Sequence, residues 1–243
     1  MVPCRLLRSS TRGCDRGGVI ALGNFTVLGL RLALYMAASL FIGLALREYA
    51  RARVAATLGD PTPRLWGRVT VRPKAWFDPF GSGFLPALVA LLWSVQAFIL
   101  PAAYAKPAPI DTSYLKRHPR DVVFASLAGP AASLALAVAA GLMVRTGVSG
   151  EALLVLTTFA FTNASLFVFH LLPIPGLDGG RLLALVLPPH AREVFRNADR
   201  YLALIVLVVL FLFTFLLQIA LLLTGAICEA ASGADCLGLL HFG

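Results

Sequence analysis

Acidic side chains are scarce in this sequence: 12 Asp and Glu stand against 21 Lys and Arg in 243 residues, for a formal net charge of +9. Charged residues of either sign make up only 14%, while 58% are hydrophobic, which excludes an ordinary soluble domain. Cysteine is nearly absent. Cys4, Cys14, Cys228 and Cys236 form no CxxC pair, so neither a zinc ribbon nor a dithiol redox centre is readable from spacing. Histidine is equally thin, and His118, His170, His190 and His241 show no ligand spacing; a buried or interfacial role is the expectation for each. No internal repeat and no low-complexity linker is visible, which excludes a solenoid. The basic residues are dispersed among short loops and do not build one patch with interleaved aromatics, so nucleic-acid binding is not expected.

What is present is apolar sequence in long runs. A bilayer core of about 30 Å takes roughly 20 helical residues, and runs of that order occur at Val19–Leu46, Val122–Val144, Ala152–Leu172 and Tyr201–Thr224. A fifth, Gly83–Ala105, carries Pro86, Gln96 and Pro101 and reads as a re-entrant hairpin. With that choice the loops at 53–82, 104–121 and 173–201 share one face and hold 13 Lys and Arg, whereas the 145–151 turn and the C-terminal tail hold one. The charge rule makes the first face cytoplasmic. The expected organisation is a basic tail over residues 1–18, one membrane domain over 19–225 and a short tail over 226–243. The four arginines of the first tail, Arg5, Arg8, Arg12 and Arg16, fall on the outer face in this scheme and fit it poorly. Cys228 and Cys236 either pair, if their tail meets an oxidising compartment, or remain free thiols, the simpler expectation.

The chemistry sits where the first run ends, in LREYARARVAATLGD, residues 46–60. Arg47-Glu48-Tyr49-Ala50-Arg51 has the spacing of HExxH with arginine at both histidine positions. Side chains at i and i+4 share a helix face, which lets the true motif offer two imidazoles to one zinc while its glutamate activates water. Further on, GDPTPRLWGRVTVRPKAWFDPFGSGFLP, AKPAP, AGPAAS and HLLPIPGLDGGR follow in order. This series resembles the small bacterial members of the site-2 protease family, zinc-dependent intramembrane proteases, from about residue 28 to residue 216. The resemblance implies an all-α polytopic membrane protein: a transmembrane helix bundle with a short β-hairpin or strand segment and the re-entrant hairpin. Leu65–Arg72 is the expected strand, with Arg68, Thr70 and Arg72 alternating along it and available to pair with a substrate strand.

The resemblance also implies roles. Glu48 occupies the position of the general base, and Arg47, Arg51 and Asp178 occupy those of the zinc ligands. Only Asp178 among the three is competent, because a guanidinium has no available lone pair. Arg72, Trp76, Ser133 and His170 also replace polar residues of the family pattern, while backbone-shaping residues such as Gly59, Pro61, Gly129, Pro130, Pro175 and Gly179 persist. We therefore expect no metal, zinc being the cofactor if the activity is retained, and an idle Glu48. Arg47 and Arg51 are expected to pair with Glu48 and Asp178, their two positive charges standing in for those of the ion. The rival expectation is that both arginines snorkel to the headgroups. The functional expectation is a multi-pass protein of the cell membrane that binds membrane segments of single-pass partner proteins without cutting them. An active intramembrane metalloprotease is the first alternative. A transporter or channel is the second, weakened by the lack of an inverted repeat or paired broken helices.

Overall fold

A computed structural model describes residues 27–94, 99–106, 108–117, 119–212 and 214–238. The basic N-terminal tail with Cys4 and Cys14, the start of the first apolar run, Gln96, His118 and His241 lie outside the described residues.

Among the described residues three helices are long and apolar enough to cross a membrane: α1 (Val27–Thr57), α5 (Arg120–Arg145) and α6 (Glu151–Leu171). Between α1 and α5 lie the single-turn helices α2 (Thr62–Leu65) and α3 (Pro73–Trp76), a π-helical turn at Pro79–Phe84, and α4 (Leu85–Ser94). After α6 come α7 (Asp178–Val186), α8 (Pro189–Asn197), α9 (Leu202–Leu212) and α10 (Thr214–Ser232). The fourth apolar run thus forms α9 and α10, on either side of position 213, which is outside the described residues.

Helices α1, α5 and α6 pack pairwise, and α10 packs on α5 and α6. Small residues set the approach distances, as expected where lipid supplies no hydrophobic drive between helices. A Cβ at Gly43 of α1 would lie 2.7 Å from Asn163 Oδ1 of α6, and one at Gly141 of α5 would lie 2.6 Å from Ala231 Cβ of α10. Met36, Leu40, Leu44, Trp93, Phe161 and Leu166 form the centre of the bundle. Helices α1 and α6 run parallel: Tyr35 donates to Glu151 at their N-terminal ends, and Arg47 meets Asp178 just beyond the C-terminal end of α6.

The 83–105 segment folds back on itself. Tyr104 N donates to Gly81 O at 3.1 Å and Lys106 N to Trp76 O at 2.8 Å, so the chain returns to the place it left. With the π-helical turn before it, α4 forms one apolar helix over Pro79–Ser94, shorter than the three membrane-length helices among the described residues. The fold is that of an all-α membrane protein with a re-entrant element.

Two expectations are corrected. Leu65–Arg72 is not a strand, and no strand occurs among the described residues. Pro61 and Pro63 start a helical turn, Gly67 takes φ +62°, and Pro73 opens the next turn, which leaves too little extended chain and no neighbour to build a ladder. Helix α1 runs past the end of the apolar run at Leu46, carries Arg47, Glu48 and Arg51 within it and ends at Thr57, because those side chains are partnered inside the protein. Cys228 and Cys236 are joined in a disulfide instead of remaining free. Arg145 donates to the carbonyls of Ala230 and Ala231, capping the C-terminus of α10 with a cation at the same end.

Candidate functional site: a buried cluster of four charges

Helix periodicity brings Arg47 and Arg51 to one face of α1, with Glu48 beside them. Asp178 comes from the first turn of α7, where a carboxylate is favoured by the N-terminal end of the helix dipole. The turn before it needs Gly176 at φ +86°. At Gly179 a side chain would run into the Leu171 and Leu172 carbonyls, so glycine there lets α7 start directly under the end of α6.

All four charges are buried, Arg47 with only 1% of its surface exposed. Arg47 Nη1 donates to Glu48 Oε1 at 2.8 Å, and its Nη2 donates to Asp178 Oδ2. Arg51 Nη1 lies 3.3 Å from Asp178 Oδ1 and 3.6 Å from Glu48 Oε1, and its Nη2 donates to Ala108 O at 3.2 Å. Arg181, one turn after Asp178, approaches it at 3.9 Å from the rim. Two cations and two anions thus neutralise one another in a setting where a single unpaired charge is very costly. The packing is tight: a Cβ at Gly129 of α5 would lie 3.3 Å from Arg47 Cγ.

The loop that supplies Ala108 is itself held. Asp60, fully buried after Gly59 at φ +112°, accepts from Thr62 N and from Asp111 N, each at 2.9 Å. Asp111 accepts from Ser113 N and Ser113 Oγ, and these bonds hold its carboxyl below the usual range. His170 closes the other side. With the proton on Nδ1 it donates to Leu166 O at 2.9 Å, leaving Nε2 without a partner. His170, Tyr104 and the four charged residues line a small, partly open pocket of about 10 Å³, room for about one water. Glu48 Oε2 and the Nε atoms of both arginines also lack partners.

The remaining site residues read from the sequence lie elsewhere. Arg68 donates to Ala75 O and Lys106 O, and Thr70 Oγ1 accepts from Arg72 N, so both side chains bind their own loop. The Arg72 side chain is exposed. His190 is exposed at the start of α8. Spacing did not reveal Asp60, Tyr104 or the Ala108 carbonyl; the signal for Asp60 was the GDP run in LGDPT, read as a backbone motif and not as an anchor.

A family model described as Peptidase family M50 matches residues 145–214, from the end of α5 to α10 and including Asp178. The protein YwhC of Bacillus subtilis, named a zinc metalloprotease, is 31% identical over 198 residues, which is 77% of this chain and 84% of that one. The chain belongs to peptidase family M50. Rip2 of Mycobacterium tuberculosis, also named a zinc metalloprotease, is 32% identical over 203 residues, 81% of this chain and 75% of its own. Rip2 of Mycolicibacterium smegmatis is 32% identical over 177 residues. No solved structure matches the chain.

The relatives' names raise the question of zinc, and the donor set of this M50 chain does not fit it. Guanidinium groups fill the two helix positions from which imidazoles would bind, and neither has a lone pair to donate. Both surviving carboxylates are already engaged by those groups. No group of three or more His, Cys, Asp or Glu that could hold a metal occurs among the described residues.

Proposed function

We propose that this chain is a non-catalytic member of peptidase family M50 which binds the membrane segment of a partner protein and leaves it intact. One observation carries the reading: Arg47 and Arg51 pair with both acids of the site. A water next to Glu48 would find a carboxylate whose Oε1 is held by Arg47 and Arg51, with no Lewis acid to polarise either the water or a peptide carbonyl. The cluster then links α1 to α7 and keeps a protease scaffold closed around an inert centre.

The bundle would sit in the cell membrane as a multi-pass protein, with the Arg47 cluster toward the cytoplasm. Two observations support this orientation. The loops at the cluster end are rich in Lys and Arg, and the disulfide lies at the other end, beside Arg145, sixteen positions along α5 from Gly129, about 24 Å away. A disulfide belongs in an oxidising compartment. A second reading, residual hydrolysis, draws on the unpartnered Glu48 Oε2 and His170 Nε2 at the one-water space.

Metal analysis of purified protein, with crosslinking in native membranes, tests both readings. Wild type should carry far less than one zinc per chain, Arg47→His with Arg51→His should gain it, and crosslinked partners should be recovered full length. One tightly bound zinc in wild type, or a clipped partner fragment that disappears in Glu48→Gln, would overturn the proposal.

A further inference from the structure

At the same end as the charge cluster, the loop that follows α1 encloses an open cleft of about 650 Å³. Five of the residues lining it are cations, Arg64, Arg68, Arg72, Lys74 and Lys106, and none is acidic. Arg68 is used internally, clipping the loop through Ala75 O and Lys106 O. The other four are exposed and form no ion pair with any described acid. Four like charges around one cleft repel one another, and an anion placed among them relieves that repulsion.

The rim indicates which anion. Leu65 is 81% exposed and Trp66 68% exposed, both on the turn that carries Arg64. A bare leucine and tryptophan beside a cationic cluster is the pattern of residues seated at the headgroup boundary. The cleft's position agrees, because α1 with its 31 residues is about 46 Å long, more than the roughly 30 Å core, and delivers the next loop to headgroup level. We propose that this cleft binds the phosphate of an anionic glycerophospholipid from the adjoining leaflet. Arg64, Arg72, Lys74 and Lys106 surround the phosphate, and Leu65 and Trp66 enter the acyl boundary beside it. The proposal requires only that the protein is in a membrane, and it stands apart from the reading of the inert centre.

The full chain in a neutral detergent is titrated with dioctanoyl phosphatidylglycerol, dioctanoyl phosphatidylcholine, inorganic phosphate and a hexaglutamate peptide, with tryptophan emission as readout. Phosphatidylglycerol should bind saturably with an emission shift that Trp66→Phe abolishes. Lys74→Gln and Lys106→Gln should each weaken binding about fivefold. Arg31→Gln at the opposite end should change nothing. Equal binding of phosphatidylcholine removes the charge basis of the proposal. Inorganic phosphate competing as well as the lipid makes the cleft a site for free phosphate, and tighter binding of hexaglutamate makes it a protein-docking surface; either result overturns the lipid assignment.

Discussion

Arg47 and Asp178, 131 positions apart in the chain, form a buried ion pair that ties the middle of the first long helix to the start of α7. Its energetic weight differs from that of a surface pair. The attraction between the two groups roughly offsets the cost of dehydrating them, so the pair adds little net stability, but loss of one partner leaves an uncompensated charge.

Arg47→Met should therefore destabilise the protein by about 3–5 kcal/mol, whereas Arg47→Met with Asp178→Leu should recover part of that loss. Unfolding in mixed detergent micelles, arranged as a double-mutant cycle, measures the coupling. A single variant as stable as wild type would mean that the pair is not buried.

Asp60→Ala should release the loop that supplies the Ala108 carbonyl to Arg51, since both Thr62 N and Asp111 N lose their acceptor. A loss of about 1–3 kcal/mol is expected. Faster tryptic cleavage after Lys116 or Arg117 would report the local opening.

Gly43→Val should separate α1 from α6, because the added atoms meet Asn163 Oδ1 and Leu166 Cδ1 at under 3 Å. Overpacking of this kind costs about 1–3 kcal/mol. A lower midpoint of thermal unfolding checks it, and Gly147→Ala, in a turn with open space around it, serves as a comparison for backbone strain alone.

Replacing Cys228 and Cys236 by serine removes a cross-link spanning a sequence separation of eight, worth about 2–3 kcal/mol in the chain-entropy account. In intact cells, with Cys4 and Cys14 replaced by serine, a membrane-impermeant maleimide should label Cys228 and Cys236 only after reduction and only from outside. Labelling without reduction would show free thiols, and protection from the outside after reduction would reverse the orientation.

The apolar runs at 122–144 and 152–172 were legible because helix length in a bilayer is a matter of composition, and α5 and α6 occupy them. The return of the 83–105 segment was legible too, since Arg47–Arg51 and Asp178 end on the same side only if it does not cross, and the Tyr104 to Gly81 bond closes it. Leu65–Arg72 misled because alternation of Arg68, Thr70 and Arg72 mimics a strand; a strand exists only with a partner, and here Arg68 turns back on its own loop. The apolar run stops at Leu46, before the first charge, while α1 continues to Thr57 because Arg47, Glu48 and Arg51 are matched by tertiary contacts. Asp60 carried too little pattern to be noticed as part of the site, and His170, noted as a departure from the family pattern, had no spacing that placed it beside the cluster.

Composition and the order of short motifs were sufficient to announce a membrane helix bundle of the M50 family and to reveal that two permanent cations replace imidazoles on its first helix. They were not sufficient to say whether those cations turn outward to phosphate or inward to carboxylate, since either choice satisfies an arginine locally. Folding resolved it. Glycines at 129, 176 and 179 let α5, α6 and α7 close around α1, and with the side chains buried there, the nearest groups able to balance Arg47 and Arg51 are Glu48 and Asp178.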